Sequence, residues 1–529
     1  MPETAFNHNL SAFFKGFYGD LFAPAAGIAM ALAFAPFDHA YLGFVALAFI
    51  FASWEVLTPA RAALRGFLFG LGLFGFGVSW VFVSVRVYGG ADLLSSVVIT
   101  LLFVSVWSLF PALTGYLTSA IARRSDLAIN SLIPPCIWIL VEYIRGNWFL
   151  NGFPWLQIAY SQLDTPFSGY IPIIGVYGTG FLMALSAGLA LQCRHGKRHI
   201  VTNLTLIAVL FASGALCKNI SWTHSIGENI RVSLLQGNIP QEQKWAPENR
   251  DSTLRKYREL TEKHWYSDII VWPETSIPAY YSEVKENFIE PLERKAVEHN
   301  SNIIVSLPMK GDQPHVKYNS VLVLGKQRSI YHKNHLLPFG EYLPLQPLSG
   351  KILDFLNMRL GHFTPGGDDQ TLPIAAGHPF AASICYEDAI SKEARTKLPD
   401  AAFLVNVTND AWFGQSIEPF QHLQIARMRA LETGRYLLRA TNTGVTAIVS
   451  PMGGIIKQAI PFETAAISGI IKPMGGLTPY AKTGNAPAVS ILVALLIASM
   501  STQIKYNRRT QSRQRDQYER GSHDEPLEP

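Results

Sequence analysis

Three side chains with complementary chemistry come directly after short apolar runs in the second half of the chain. They are Glu274, Lys333 and Cys385, in the segments DIIVWPE, SIYHK and FAASIC. Apolar runs of this length predict buried strands, and a residue at the end of a strand lies at the edge of the sheet. A carboxylate, an ammonium and a thiol that meet at such an edge supply a base, an oxyanion stabiliser and a nucleophile. The pattern therefore predicts thiol-based acyl transfer.

The role of each member follows from its chemistry. An ordinary thiol is mostly protonated at neutral pH, so Cys385 needs a base, and we assign that role to Glu274. Burial should raise the pKa of this carboxyl. The Lys333 ammonium and the backbone N–H of Tyr386 are placed to stabilise an oxyanion. Glu341, eight residues after Lys333, is expected to orient it or to share a proton with Glu274.

Cys385 is the one cysteine inside a long polar block. The other three cysteines lie in or beside apolar segments and are Cys136, Cys193 and Cys217. If the polar block is exported, Cys385 has no disulfide partner there and is an unpaired thiol. The alternative, a small buried apolar side chain, describes most free cysteines. The position at a strand end beside Tyr386 and Glu387 favours the nucleophile.

Composition divides the chain into an apolar and a polar part. The 529 residues are 49% hydrophobic, with a mean hydropathy of +0.16 and a net charge of +5. This indicates a membrane portion joined to a globular domain. The basic residues lie in short loops and at the C-terminus, and basic-aromatic modules and zinc-type Cys/His spacings are absent from the sequence. We therefore predict no nucleic-acid partner, no metal and no other cofactor.

Eight apolar segments predict a polytopic α-helical membrane domain. They cover about 19–36, 41–57, 64–88, 92–121, 128–144, 168–192, 199–217 and 486–504. The first two are short enough to be shallow or re-entrant. The predicted division is a membrane domain with seven spans (1–218), a catalytic domain (219–485), an eighth span (486–504) and a tail (505–529).

Loop charges predict the orientation. Arg61 and Arg65 lie between the second and third segments, and further basic residues lie on the same predicted side, including the C-terminal tail. Under the positive-inside rule both termini are cytoplasmic and the polar block is outside.

Two further features lie in the apolar part. The glycines of 66–77 favour close helix packing over a lipid groove. Glu142, Arg145 and Trp148 are interpreted as interfacial anchors, or alternatively as a rim that admits a lipid headgroup.

The polar block alternates strand-like and helix-like segments. Seven apolar runs predict strands: RVSLLQGN, DIIVWPE, NIIVSLPM, SVLVLG, FAASICYE, AFLVNVTND and YLLRATNTG. Three stretches between them have helical periodicity: DSTLRKYRELTEKHW, ENFIEPLERKAVEHN and FQHLQIARMRALETG. Strands and helices that alternate in one domain predict a layered α/β fold around a large sheet core.

Five segments in this block together resemble the nitrilase (carbon-nitrogen hydrolase) superfamily. They are QGNIPQEQKW, VWPETSIP, YHKNHLLPFGEY, SICYED and NVTNDAWFG, in that order. With the flanking apolar spans, the chain resembles the membrane branch of that superfamily, the apolipoprotein N-acyltransferases. Single motifs of this kind are weak, but five in order between seven spans and one are specific.

The resemblance implies an exported α-β-β-α sandwich with a Glu-Lys-Cys triad that maps onto Glu274, Lys333 and Cys385. It also implies supporting roles for Trp245, Tyr386 and Glu387. The implied reaction moves an acyl chain from a phospholipid, usually phosphatidylethanolamine, through a thioester. The acceptor is the α-amino group of a diacylglyceryl-cysteine lipoprotein. The implied location is the bacterial inner membrane, and we expect a monomer.

Two other classes of function remain open from the sequence. A membrane-tethered amidase or nitrilase would use the same three residues on a small amide, in a pocket closed to lipid. A transporter or receptor would use the exported domain only to bind a ligand. Apolar segments near the site are predicted to form loops, here called lips, that contact the lipid bilayer. Loops packed on the domain are an equal alternative. The predicted lip residues are Leu343, Leu345, Leu348, Ile352, Leu353, Phe355, Leu356, Trp412 and Phe413.

Overall fold

The computed structural model describes residues 12–122, 131–313, 315–344 and 362–501. The predicted tail, 505–529, lies outside the described residues, as do the predicted lip residues from Leu345 to Leu356. The apolar part of the chain forms helices. They are α1 (Phe17–Ala31), α2 (Ala40–Val56), α3 (Pro59–Gly77), α4 (Trp80–Val83), α5 (Leu93–Ala122), α6 (Ile133–Asn147), α7 (Ile171–Gln192) and α8 (Lys197–Cys217).

Three of these helical stretches are long and apolar enough to cross a bilayer. They are Leu93–Ile121, Pro166–His195 and Lys197–Cys217. A bent pair, Pro59–Gly77 with Trp80–Tyr88, would be a fourth. Two other apolar helices, Ala40–Val56 and Ala486–Ser501, are shorter than a typical span. The chain is therefore a membrane protein with a helical N-terminal region, while the count of eight spans and their orientation stay predictions.

The predicted segment 64–88 is not one straight helix. Its two parts meet at an angle of 55° after Gly77. At this break, Gln421 Nε2 donates a hydrogen bond to the carbonyl oxygen of Gly77 at 3.0 Å, and Gln421 Oε1 accepts bonds from Trp80 and Trp155. The carbonyl that the break exposes is thus satisfied by a side chain from the polar block.

The glycines of α3 lie at close helix contacts. A Cβ at Gly66 would lie 2.2 Å from the carbonyl oxygen of Pro111 on α5. A Cβ at Gly72 would lie 2.0 Å from the carbonyl oxygen of Pro24 on α1. Because larger side chains cannot occupy these positions without moving a backbone, the prediction of close helix packing is confirmed.

Glu142 and Arg145 are neither interfacial anchors nor a headgroup rim. Both side chains are buried, and Arg145 donates to the carbonyl oxygens of Phe153 and Trp155 at 3.0 and 2.6 Å. The interpretation of these two charges was wrong, because they form a buried pair that holds the loop carrying Trp155. Trp148, in contrast, is exposed, as an interfacial tryptophan would be.

The polar block contains two mixed sheets. The strands are β1 (His224–Ser225), β2 (Ile230–Gln236), β3 (Ile269–Val271), β4 (Asn302–Lys310), β5 (Lys317–Leu324), β6 (Ser329–His332), β7 (Ile374–Ala375), β8 (His378–Pro379), β9 (Ala381–Ile384), β10 (Leu404–Thr408), β11 (Leu437–Thr441), β12 (Ala447–Val449), β13 (Ile455–Gln458), β14 (Ala465–Ile471) and β15 (Met474–Gly475). The two large sheets have the orders β14-β2-β3-β4-β5-β6 and β13-β12-β11-β10-β9, while β1 pairs with β15 and β7 with β8 in two small antiparallel sheets. Strands β2, β3 and β4 are parallel, as are β9, β10 and β11.

Helices cover the outer faces of both sheets. The helices of this part of the chain are α9 (Gln241–Lys244), α10 (Arg250–Glu262), α11 (Tyr281–Val284), α12 (Glu290–Glu298), α13 (Ser391–Arg395), α14 (Glu418–Thr433) and α15 (Pro479–Thr483), followed by α16 (Ala486–Ser501). Val232 and Ile384 belong to the apolar core between the sheets. Tyr257 on α10 packs on the outer face of the six-stranded sheet, and Ala426 on α14 packs on the five-stranded sheet. These four layers confirm the predicted α-β-β-α sandwich.

Candidate active site

Cys385 lies directly after β9, at a sharp turn. Its φ of +53° is in the left-handed region, which is strained for a residue with a Cβ and is concentrated at functional sites. The residue contacts both the core between the sheets and the apolar cluster of the helical region. Burial, and then the charge of Glu274, raise the pKa of the thiol well above its usual value, while Lys333 opposes this. The resting thiol is therefore protonated and needs a base.

Glu274 lies just after β3, on the neighbouring sheet. Its side chain is buried, and Oε1 accepts a hydrogen bond from Asn319 Nδ2 at 2.8 Å. Burial raises the pKa of this carboxyl, while the charge of Lys333 acts against that effect. A carboxyl with a raised pKa can both accept and return a proton near neutral pH, which is the property a general base requires.

Lys333 follows β6, and its ammonium interacts electrostatically with Glu341, Glu274 and Cys385. The side chain is 1% exposed, and Nζ lies 2.8 Å from Glu341 Oε2. Burial lowers the pKa of Lys333, but the charges of Glu341, Cys385 and Glu274 outweigh that effect and raise it. Lys333 is thus a fixed positive charge. Asn319 joins the two carboxylates, because its Nδ2 lies 2.8 Å from Glu274 and 3.4 Å from Glu341.

Glu387 ties the turn of Cys385 to the loop of Lys333. Its Oε1 accepts hydrogen bonds from the Tyr331 hydroxyl and from the backbone N–H groups of Asn334 and His335, at 2.9, 2.6 and 2.9 Å. Its Oε2 accepts from the backbone N–H of Ile384 at 2.7 Å. Because Glu387 is fully buried, these four bonds fix the distance between nucleophile and ammonium.

Replacing Glu387 by glutamine is expected to slow reaction at Cys385 by about 10²-fold, because misplacement by about 1 Å has that effect in other enzymes. The glutamine side chain has one acceptor oxygen where glutamate has two, so it cannot accept hydrogen bonds both from the β9 backbone and from the loop of Lys333. The measurement is the rate of Cys385 acylation. Glu393→Gln, at another buried carboxyl near the site, is the control and should leave this rate nearly unchanged. Equal rates for Glu387→Gln and the wild type would show that the hydrogen bonds of Glu387 do not position Cys385.

The other predicted supporting residues lie at the border with the helical region. The Tyr386 hydroxyl donates to the carbonyl oxygen of Gly152 at 2.8 Å, and its ring stacks on Trp155. Trp245 is 51% exposed and follows the buried Lys244. Of the two described lip aromatics, Phe413 packs on Trp80, with ring centroids 4.8 Å apart.

Trp412, the second of these aromatics, lies against Tyr88, with ring centroids 6.0 Å apart. Both Trp412 and Phe413 therefore face the apolar helices rather than the sheets. Leu343 is half-buried.

A network of buried charges acts on Cys385 through Asp410, and it was not predicted from the sequence. His422 contacts Asp388 through Nε2 and Asp410 through Nδ1, both at 2.9 Å. Arg439 contacts the same two carboxylates at 2.9 and 3.2 Å. Burial and Arg439 lower the pKa of His422, but the two carboxylates outweigh them and raise it to about 10. Two anions are thus balanced by two cations.

Glu418 completes this network. Within the described residues, Asp410, Glu418 and His422 have ligand-type atoms within 4.8 Å of one another. Burial, and then the charge of Asp410, raise the pKa of Glu418 well above its usual value. Both ring nitrogens of His422 already face carboxylates, and Arg439 supplies the positive charge. The arrangement is explained as a charge network without assigning a metal.

Replacing Arg439 by methionine should destabilise the fold by about 3–5 kcal/mol, because removing one partner of a buried ion pair leaves an unpaired charge. The readout is the unfolding temperature in detergent. Arg231→Met, which breaks the exposed pair of Arg231 with Asp268, is the control and should have little effect. A stable Arg439→Met protein would show that the network does not support the fold.

Comparisons with known proteins agree with this architecture. Residues 26–189 match the family model described as apolipoprotein N-acyltransferase N-terminal domain, and residues 231–473 match that described as carbon-nitrogen hydrolase. The fold and the site thus define a membrane protein with a carbon-nitrogen hydrolase domain.

Full-length relatives narrow this class. The apolipoprotein N-acyltransferase of Methylococcus capsulatus is 47% identical over 90% of this chain and 94% of its own length. That of Nitrosomonas europaea is 40% identical over 94% of this chain and 100% of its own length. The chain belongs to the apolipoprotein N-acyltransferase family.

Proposed function

We propose that this protein transfers a fatty acyl chain from a phospholipid to the α-amino group of a lipoprotein N-terminal diacylglyceryl-cysteine. The observation that carries the proposal is the position of Cys385. Burial and the charge of Glu274 raise the pKa of its thiol, and the charge of Lys333 lowers it. The residue also contacts the apolar cluster of the helical region. The family membership supports the same reaction.

In the first half-reaction, Glu274 takes the proton of Cys385, and the thiolate attacks the ester carbonyl of the phospholipid. Lys333 and the backbone N–H of Tyr386 stabilise the resulting oxyanion. The carbon–oxygen bond then breaks, and Glu274 returns the proton to the departing oxygen of the lysophospholipid. The acyl chain remains as a thioester on Cys385.

In the second half-reaction, the neutral α-amine of the acceptor attacks the thioester. Glu274 takes a proton from this amine while Lys333 again stabilises the oxyanion. The carbon–sulfur bond breaks, and the proton passes from Glu274 to the Cys385 thiolate. The products are an amide and the free thiol, so the enzyme is regenerated without a cofactor.

A membrane position for the site is part of the proposal. Both substrates have chains in a bilayer, and their extraction would cost about 0.8 kcal/mol per CH₂ group. Trp412 and Phe413 pack on the apolar helical region, and Phe413 and Cys385 contact the same apolar cluster, which is the route that we propose for the acyl chain. We place the protein in a bacterial inner membrane, with the catalytic domain periplasmic and both termini cytoplasmic. Phosphatidylethanolamine is the proposed donor, and the enzyme acts as a monomer.

Incubation with phosphatidylethanolamine and a synthetic diacylglyceryl-cysteine peptide tests the function. We expect an N-acylated peptide and stoichiometric lysophospholipid, with transfer dependent on lipid. The alternative is an amidase with the same residues, which would release ammonia from small amides without lipid. Ammonia release in the absence of peptide acylation would overturn the proposal.

A further inference from the structure

The site contains a second buried ammonium that the mechanism above does not use. Lys244 ends the short helix α9 and is 3% exposed. Its Nζ donates a hydrogen bond to the backbone carbonyl oxygen of Glu274 at 2.9 Å. Thus Lys244 lies against the residue that we assign as the base.

A hydrogen bond connects α9 to the end of β10. Gln241, at its first position, accepts a hydrogen bond from Asn409 Nδ2 at 2.8 Å, just after β10. The main chain that Lys244 holds is also strained, since Thr275 has a φ of +48°. The Thr275 N–H donates to Ser306 at 3.0 Å, so bonds on two sides hold the turn of Glu274.

Lys244 has no carboxylate within ion-pair distance in the described part of the chain. Burying such an ammonium without a paired anion is unfavourable, and residues at functional sites often carry this cost. Burial lowers the pKa of Lys244 to about 8, while the charges of Glu274 and Cys385 oppose that effect. Its charge is therefore coupled to both reacting groups.

We propose that Lys244 is a positioning residue whose positive charge keeps the Glu274 carboxylate ionised and whose hydrogen bond holds the Glu274 main chain. The inference rests on the proposed acylation of Cys385. The charged or titratable groups that act on Glu274 are Lys333, Glu341 and Lys244, with the thiol of Cys385 nearby. When Lys244 is charged, the ammonium groups of Lys333 and Lys244 balance the carboxylates of Glu274 and Glu341. When the charge of Lys244 is removed, only that of Lys333 remains.

The sign of the expected pH effect follows from this balance. The ionised form of Glu274 is the base, so acylation is lost as the pH falls through its pKa. The Lys244 charge lowers that pKa. Removing the charge should therefore move the acidic limb of the pH–rate profile to higher pH.

The test measures the rate of Cys385 acylation by phospholipid from pH 5 to pH 9 on the full-length protein. Lys244→Met should shift the acidic limb upward by about one pH unit, the lower end of the effect of a nearby opposite charge that makes no ion pair. Lys244→Gln should shift it similarly, since it keeps a donor but no charge. Lys244→Arg should restore most of the wild-type profile.

Lys256→Met is the matched control. Lys256 Nζ also donates to a backbone carbonyl oxygen, that of Gly237 at 2.9 Å, but Lys256 is not among the charges that act on Glu274. The pH–rate profile of Lys256→Met should equal that of the wild type. If Lys244→Met and Lys244→Gln have the same acidic limb of the pH–rate profile as the wild type and only a lower rate, Lys244 is merely structural and the inference is wrong. If wild-type Cys385 is not acylated at any pH, the proposed function fails instead.

Discussion

Replacing Cys385 by serine is expected to lower acyl transfer by at least about 10³-fold, as loss of the nucleophile does in other covalent enzymes. The hydroxyl is nearly the same size as the thiol, so the fold should persist. It is a much weaker nucleophile at neutral pH, and Glu274 cannot compensate for this difference. The measurement is the initial rate of peptide acylation at saturating phospholipid.

Cys217→Ser is the control for this substitution. Cys217 is a free, half-buried cysteine at the end of α8, in the helical region. This variant should retain the wild-type rate, and both variants should unfold at the wild-type temperature. Full activity of Cys385→Ser would contradict the assignment of Cys385 as the nucleophile.

Replacing Lys333 by methionine is expected to have the second largest effect. One oxyanion donor is worth about 3–4 kcal/mol, or roughly 10²–10³-fold in rate. The variant also leaves Glu341 and Glu274 without their shared cation, which should lower stability. Lys333→Arg should not restore activity, because a planar guanidinium does not fit a site built for a compact ammonium. The readout is the rate of Cys385 acylation.

The double variant Lys333→Met with Glu341→Gln separates folding from catalysis. Removing both charges of the pair should recover stability relative to Lys333→Met alone, since the two residues are in contact at 2.8 Å. Activity should stay low because the oxyanion still lacks its ammonium. Recovery of activity together with stability would mean that Lys333 only supports the fold.

Much of the α-β-β-α domain could be predicted from the sequence, because buried strands are recorded as local apolar runs. Strands β3 and β9 end where DIIV and FAASI change to polar residues, which places Glu274 and Cys385 at sheet edges. The strands after Thr441 were not predicted. The strand β13, for example, is exposed and carries no buried apolar pattern.

The features that the sequence could not predict depend on contacts between distant residues. The break after Gly77 is satisfied by Gln421, and hydropathy does not record a bend within an apolar run. Glu387 accepts from residues about 50 positions earlier in the chain. Lys244 looks like an ordinary surface lysine in QEQKW and is identified only by its burial against Glu274. Charged residues are seldom buried without partners, so a single sequence gives no reason to place one there.

The most direct measurement of the central claim is intact-mass analysis of the protein after exposure to phosphatidylethanolamine of one defined chain length. We expect a mass increase of one acyl group, mapped by peptide analysis to Cys385, removed by hydroxylamine and transferred when the diacylglyceryl-cysteine peptide is added. Peptide acylation without any acyl group on Cys385, or a stable acyl group on a different residue, would contradict it.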